Sequence, residues 1–190
     1  MSDLSASLPS FDPAPLRGVN LYLVGMMGAG KTTLGRHLAS CLGYHFFDTD
    51  QLIEEVSGET IPSLFAEWGE PSFRDLETQV LAQLAPYRRL VVATGGGLVQ
   101  KPENWSYLHH GIVIWLQVDP LQLLRRLQAD PTPRPLLETA DPAATLQRLL
   151  TQRLPYYSQA DVHISIPTHT SPEDLVSQVW QQVLQRLRAH

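Results

Sequence analysis

The sequence predicts an α/β fold on a parallel sheet of about five strands. Three observations predict it. Short apolar runs alternate with segments of helical periodicity along the chain. The first apolar run, Leu21-Tyr22-Leu23-Val24, stops at Gly25-Met26-Met27-Gly28-Ala29-Gly30-Lys31-Thr32-Thr33, which fits G-x-x-x-x-G-K-[ST]. The later polar motifs fall just past the carboxyl ends of predicted strands, where open α/β sheets bind ligands.

The elements follow in order. Gly18–Val24 is apolar on both faces, as a strand at the centre of a parallel sheet must be. The first helix runs from about Gly30 to Leu42, with Leu34, Leu38 and Leu42 on one face and Gly43 as C-cap. Tyr44-His45-Phe46-Phe47 is the second strand, ending at Asp48-Thr49-Asp50. Helix capping accounts for one of these two aspartates, since Asp50 could cap the helix carrying Leu52 and Ile53, but not for both beside a phosphate loop that needs a metal. That helix ends at Gly58, and Thr60 opens the next, which Gly69-Glu70-Pro71-Ser72 breaks. A further helix spans about Ser72 to Leu84, and on it Arg74 and Glu77 share a face as an i,i+3 pair. Leu90–Ala93 is the third strand and runs into Thr94-Gly95-Gly96-Gly97. Three glycines in a row imply either a close approach to the backbone or positive φ.

Pro102–Leu108 is a short helix, Gly111–Val118 the fourth strand, and Pro120 starts a helix holding Arg125 and Arg126. The stretch Asp130-Pro131-Thr132-Pro133-Arg134-Pro135 is too rich in proline to be regular, and it reads as a lid over about 128–138 with a cation at its centre. Asp141-Pro142 opens a long helix through Leu154, which carries Arg148 and Arg153. Val162–Ile166 alternates like an edge strand, and Ser171-Pro172-Glu173-Asp174 is a helix start with N-cap, proline and first-turn acids in place.

Length and composition bound the rest. At 190 residues the chain is read as one domain over 18–190, with acceptor-side helices over about 50–85, preceded by a flexible tail over 1–17. The net charge of −5 and the absence of a basic stripe argue against a nucleic-acid partner. No run approaches the ~18 apolar residues that span a bilayer. A single cysteine, Cys41, excludes an internal disulfide and fits a reducing compartment, so the expected location is the cytoplasm.

The glycine-rich loop carries the chemistry. Its backbone N–H groups form an anion nest over Gly28, Ala29, Gly30, Lys31, Thr32 and Thr33, backed by the positive end of the helix behind it. Lys31 is a mobile cation for the outer phosphates of a nucleotide, and the Thr32 hydroxyl is a Mg²⁺ ligand. Asp48 and Asp50, Gly95–Gly97 and the cations Arg74, Arg134 and Arg153 then describe a small anionic acceptor facing a nucleoside triphosphate.

The ordered set GMMGAGKTTLGRHLA, FFDTD, GE-x-x-FR-x-x-E, ATGGG and RPLL resembles the shikimate kinase family over about Asn20 to Ile166. The loop alone is shared by many kinases, whereas the DTD, FR-x-x-E and GGG set is much narrower. The resemblance implies a P-loop kinase fold of the nucleoside-monophosphate kinase type, three-layered with strand order 2-3-1-4-5 and a lid. It implies ATP-dependent phosphorylation of the 3-hydroxyl of shikimate in aromatic amino-acid biosynthesis, by a Mg²⁺-requiring monomer. Lys31 and the Gly28–Thr33 loop would hold the ATP phosphates, with Arg126 stacked on adenine. Thr32, and Asp48 through water, would hold Mg²⁺. Asp50 would bind the acceptor hydroxyls and act as base, Arg74 and Arg153 would bind its carboxylate, Gly95, Gly96 and Gly97 would contact it, and Arg134 would stabilise the transition state. The chain lacks the aspartate of a Walker B motif after the third strand, which leaves more of the metal binding to Asp48. A gluconate kinase of related build is the nearest competing reading, since gluconate also offers a carboxylate and hydroxyls.

Overall fold

The computed structural model of the chain describes residues 9–168 and 170–189. Five parallel strands, β1 (Leu21–Val24), β2 (His45–Asp48), β3 (Leu90–Ala93), β4 (Ile112–Gln117) and β5 (Val162–Ser165), form one sheet in the order β2-β3-β1-β4-β5. The predicted order is the observed one. Every residue of β1 and β3, and all of β4 but Gln117, is buried, so helices cover both faces of the centre of the sheet. The alternating burial of β5 and the half-exposure of β2 mark the two edges.

Among the described residues, seven α-helices connect and cover the strands: α1 (Lys31–Leu42), α2 (Thr49–Ser57), α3 (Ile61–Leu84), α4 (Pro102–Leu108), α5 (Pro120–Ala129), α6 (Pro142–Tyr157) and α7 (Pro172–Arg188). Most of the caps are those the sequence announces. Gly43 and Gly58 end α1 and α2 in left-handed conformation, and the Thr60, Asp141 and Ser171 side chains cap α3, α6 and α7. The break expected at Gly69-Glu70-Pro71-Ser72 is a backbone reversal at Gly69 (φ 76°, ψ 170°), across which α3 resumes. One cap differs: Asp48, not Asp50, caps α2, its Oδ1 accepting the Asp50 backbone N–H at 3.0 Å. Asp50 is thereby left free for the cleft. Among the described residues, no helix is long and apolar enough to cross a membrane.

Of the stretch expected to be a flexible tail, residues 9–17 include two anchors that pack against the domain. Residues 1–8 lie outside the described residues. Beyond them, the Phe11 ring stacks on Trp180 of α7 at 5.4 Å, and its N–H donates to the Cys41 carbonyl at the end of α1. A single 3₁₀ turn over Ala14–Leu16 then drives Leu16 into the core at 1% exposure. The Ser- and Pro-rich composition hid these two apolar anchors. Leu16→Ala is expected to cost about 2–4 kcal/mol in urea unfolding, the usual result of emptying a buried leucine site; a change below about 0.5 kcal/mol, typical of surface substitutions, would restore the reading of a free tail.

Candidate functional site

The cleft is built where the strands end. β1 runs into a loop whose Gly25, Gly28 and Gly30 all take positive φ (142°, 76° and 92°), which side chains rarely tolerate. The loop encloses its own cation: Lys31 Nζ donates to the Gly25 and Met26 carbonyls at 2.8 and 2.9 Å. Burial pulls the Lys31 pKa down to about 8, with Asp50 and Asp48 pulling the other way. At the start of α1, Thr32 Oγ1 donates to Asp48 Oδ2 at 2.6 Å. A hydroxyl beside a carboxylate, both hard oxygen donors, suits Mg²⁺ that keeps waters and phosphate oxygens as its other ligands.

A cavity of about 580 Å³ opens in front of this loop. Thr32, Asp48 and Asp50 line it from one side. Arg74, Gly95, Gly96, Gly97 and Arg153 line the floor, and Arg134 reaches it from the lid. The structure thus brings together the predicted metal, acceptor and lid residues. Gly28, Ala29 and Gly30 belong to the adjoining loop and Lys31 and Thr33 to the first turn of α1, and none of them lines the cavity. Arg126 lies outside too, its Nη1 near the Gly28 and Ala29 carbonyls at 3.3 and 3.4 Å.

The acceptor side is a dense set of charges. Arg74 Nη1 donates to Glu77 Oε2 and its Nη2 to Glu70 Oε1, each at 2.7 Å. Glu77 is fully buried, and burial lifts its pKa to about 7, with Arg74 opposing and Asp50 adding to the rise. Burial likewise raises Asp50 to about 6, helped by Asp48 and opposed by Lys31 and Arg74. Arg153 is buried at 1% exposure, yet its Nε and Nη2 have no hydrogen-bond partner among the described residues. Asp50 Oδ1 and Glu77 Oε1 are buried without a partner in the same way. Buried polar atoms are nearly always paired, so orphans converging on one cleft point to a ligand that supplies their partners.

Packing explains the three glycines. None of Gly95, Gly96 and Gly97 has positive φ. Instead, a Cβ on Gly95 would run into Glu77 Oε1 and Asp50 Oδ1, and one on Gly97 would fall within the Arg74 guanidinium. A Cβ on Gly96 would crowd Arg153 Nη1 at 3.3 Å. Of the two readings the sequence left open, close approach is the operative one.

Several supporting residues are given no role by the sequence reading, although Thr49, Glu70 and Leu136 lie within its motifs. Thr49 Oγ1 accepts the Gly95 N–H at 2.9 Å. The Tyr157 hydroxyl donates to the Gly96 carbonyl at 2.6 Å, one α6 turn beyond Arg153. Glu70, about half exposed, holds the second edge of Arg74. Phe65, Pro133 and Leu136 supply apolar wall. On the lid, Arg134 Nη2 pairs with Asp130 Oδ2 at 2.9 Å, within a turn braced by Thr132.

The model of one protein family, shikimate kinase, matches residues 27–187. Shikimate kinase of Synechococcus sp. (strain JA-3-3Ab) is 58% identical over 174 residues, 92% of each chain. Among solved structures, that of shikimate kinase from Acinetobacter baumannii in complex with shikimate has a TM-score of 0.83 at 42% identity, covering 90% of this chain and 96% of that one. Shikimate kinase from Bacteroides thetaiotaomicron has a TM-score of 0.80 at 34% identity, with 88% and 98% covered.

The raised Asp50 pKa has a consequence for stability. Its folded pKa, about 6, exceeds the ordinary 3.8, so its contribution is intact below about pH 4 and is lost as pH rises through 6. Asp50→Asn removes that loss. The variant is expected to match the parent near pH 4 and to exceed it at pH 8 by on the order of 2 kcal/mol in urea unfolding; a difference that does not grow with pH would show that Asp50 is not held at this cost.

Proposed function

The chain belongs to the shikimate kinase family, and we propose that the cleft between loop and lid is where it transfers the γ-phosphoryl group of ATP to the 3-hydroxyl of shikimate, as a step in aromatic amino-acid biosynthesis. The observation that carries this reading is the pairing of two arginines with an orphaned carboxylate in one pocket: Arg74 and Arg153 on the floor, Asp50 Oδ1 beside them without a partner. An acceptor with one carboxylate and several hydroxyls complements that set.

The residues divide the reaction as follows. The loop amides of Gly28–Thr33 and the start of α1 hold the ATP phosphates, and Lys31 neutralises charge on the outer ones. Thr32, with Asp48 through water, would hold Mg²⁺, which would supply positive charge to the phosphates. Arg74 and Arg153 bind the shikimate carboxylate; Glu77 and Glu70 fix the Arg74 fork so that it presents a defined edge. Asp50 binds the acceptor hydroxyls and takes the proton of the one that attacks. Its raised pKa suits it to the task, because a base with a pKa near 6 is ionised at neutral pH yet more basic than an ordinary aspartate. The backbone of Gly95–Gly97 approaches the acceptor directly. Arg134 releases Asp130 as the lid closes and meets the charge on the transferring group. Arg126, at the outer wall of the loop, serves the adenine side. The proposal extends to a monomeric enzyme of the cytoplasm working without a nucleic-acid or membrane partner.

The test is an ADP-release assay with shikimate and, separately, gluconate. Shikimate turnover without gluconate turnover is expected, and the reverse would overturn the reading. In the same assay, Arg74→Lys keeps a cation beside Glu77 but loses the fork. It should raise the KM for shikimate at least tenfold, about 1.4 kcal/mol, and leave the KM for ATP within twofold. An equal change for both substrates would contradict the acceptor role of Arg74.

A further inference from the structure

A second cavity, of about 400 Å³, lies at the opposite end of the sheet. It sits where strands begin: Gly18 precedes β1, Tyr44 precedes β2, and Arg88 and Arg89 precede β3. Each of these strands is four residues long, so ~13 Å of backbone, at about 3.3 Å per residue, separates this cavity from the cleft. Its volume falls within the ~300–1,000 Å³ usual for small-molecule sites.

The lining has one sign of charge. Arg17, Arg88 and Arg89 surround the cavity, Pro13, Ala14 and Leu42 give it apolar wall, and no carboxylate of the described residues lines it. In a chain of net charge −5 this is a local reversal. Among the described residues, none of the three guanidinium groups makes an ion pair. Asp12, the acid adjoining the rim in sequence, already accepts the Ala14 N–H at 3.0 Å.

The arginines are not needed to finish α1, whose C-terminal end opens onto the cavity. Three of its last four carbonyls are taken: Ala39 O and Ser40 O by the Gly43 N–H, Ala39 O also by that of Tyr44, and Cys41 O by that of Phe11. The site is also held by the fold. The Arg89 N–H donates to Gly18 O at 2.9 Å and the His45 N–H to Arg89 O at 3.0 Å, which ties three strand starts together. Into this setting comes one buried polar side chain, Tyr44, 8% exposed: the Gly18 N–H and the Arg89 guanidinium lie near its hydroxyl, but its O–H has no acceptor among the described residues.

We propose that this cavity is a second binding site, for a small molecule carrying a dianionic phosphate group, gripped by Arg17, Arg88 and Arg89 and receiving a hydrogen bond from the Tyr44 hydroxyl. Guanidinium forks bind phosphate oxygens in pairs, and a phosphate monoester brings close to two negative charges at neutral pH. The apolar wall leaves room for an organic body beyond the phosphate.

The experiment is calorimetric titration of the full chain carrying Lys31→Ala, which disables the phosphate loop, with inorganic phosphate and with glycerol 3-phosphate at low ionic strength. Saturable one-to-one binding is expected. It should weaken at least tenfold when Arg17→Asn and Arg88→Ala are added, asparagine being chosen because Arg17 sits at φ 50°. Tyr44→Phe, which keeps the packing and removes only the hydroxyl, should weaken it several-fold. The same pair of arginine substitutions in the otherwise unaltered chain should leave shikimate-dependent turnover unchanged, which shows the fold intact. Tighter binding of glycerol 3-phosphate assigns the site to an organic phosphate, and equal affinity assigns it to the phosphate group alone. Absence of saturable binding, or binding indifferent to both the arginine pair and Tyr44→Phe, overturns the proposal.

Discussion

Two carboxylates and two guanidiniums share a small buried volume against a backbone that carries no side chains. Asp50 and Glu77 converge on Gly95, while Arg74 covers Gly97 and Arg153 covers Gly96. Bringing such charges out of water is costly, and a pair left half made in a core costs several kcal/mol. The cost is visible in the raised pKa values of Asp50 and Glu77 and in the orphaned atoms of Arg153. What keeps the cluster in place is the core beneath it. The glycine run leaves β3, which is wholly buried and lies between β1 and the edge strand β2 that leads to Asp50. The stability spent on the cluster is recovered when an acceptor of matching charge and hydroxyl pattern enters.

Donor and acceptor sites are thereby separated by mechanism as well as by place. On the donor side the selective element is backbone: a loop bent by three glycines of positive φ, with Lys31 folded over it. On the acceptor side it is side-chain charge, set by helices α3 and α6 and admitted by flat glycines. The Thr32–Asp48 contact joins the two, and Asp48 also caps α2, the helix on which Asp50 sits. One aspartate therefore fixes the metal side and the position of the second aspartate together.

Much of this was legible in the sequence. The phosphate loop and the Arg74–Glu77 pair stand where their motifs put them, because each depends on local spacing within one βα unit, whereas the strand order was legible only through the resemblance to the family. What was not legible depends on contacts distant in sequence. Thr49 and Gly95 are 46 residues apart, Tyr157 and Gly96 61 apart, and no periodicity announces either bond. The role of the glycine run needed the positions of Glu77, Asp50 and Arg74, so the sequence could only offer two readings. Which aspartate caps α2 could not be read because Asp48 and Asp50 are equivalent on composition; only the backbone conformation, which brings Asp48 Oδ1 to the Asp50 N–H, distinguishes them. The packing of Phe11 and Leu16 was masked by a polar, proline-rich neighbourhood.

The central claim is that Gly95–Gly97 exist to let the acceptor-binding charges lie against the backbone. The most direct measurement is the KM for shikimate in Gly97→Ala. Position 97 has φ −98°, which alanine adopts without strain, so the methyl group acts only by displacing the Arg74 guanidinium. The account predicts at least a tenfold rise in that KM, with the KM for ATP and the thermal midpoint nearly unchanged. An unaltered KM for shikimate in a folded variant would contradict it.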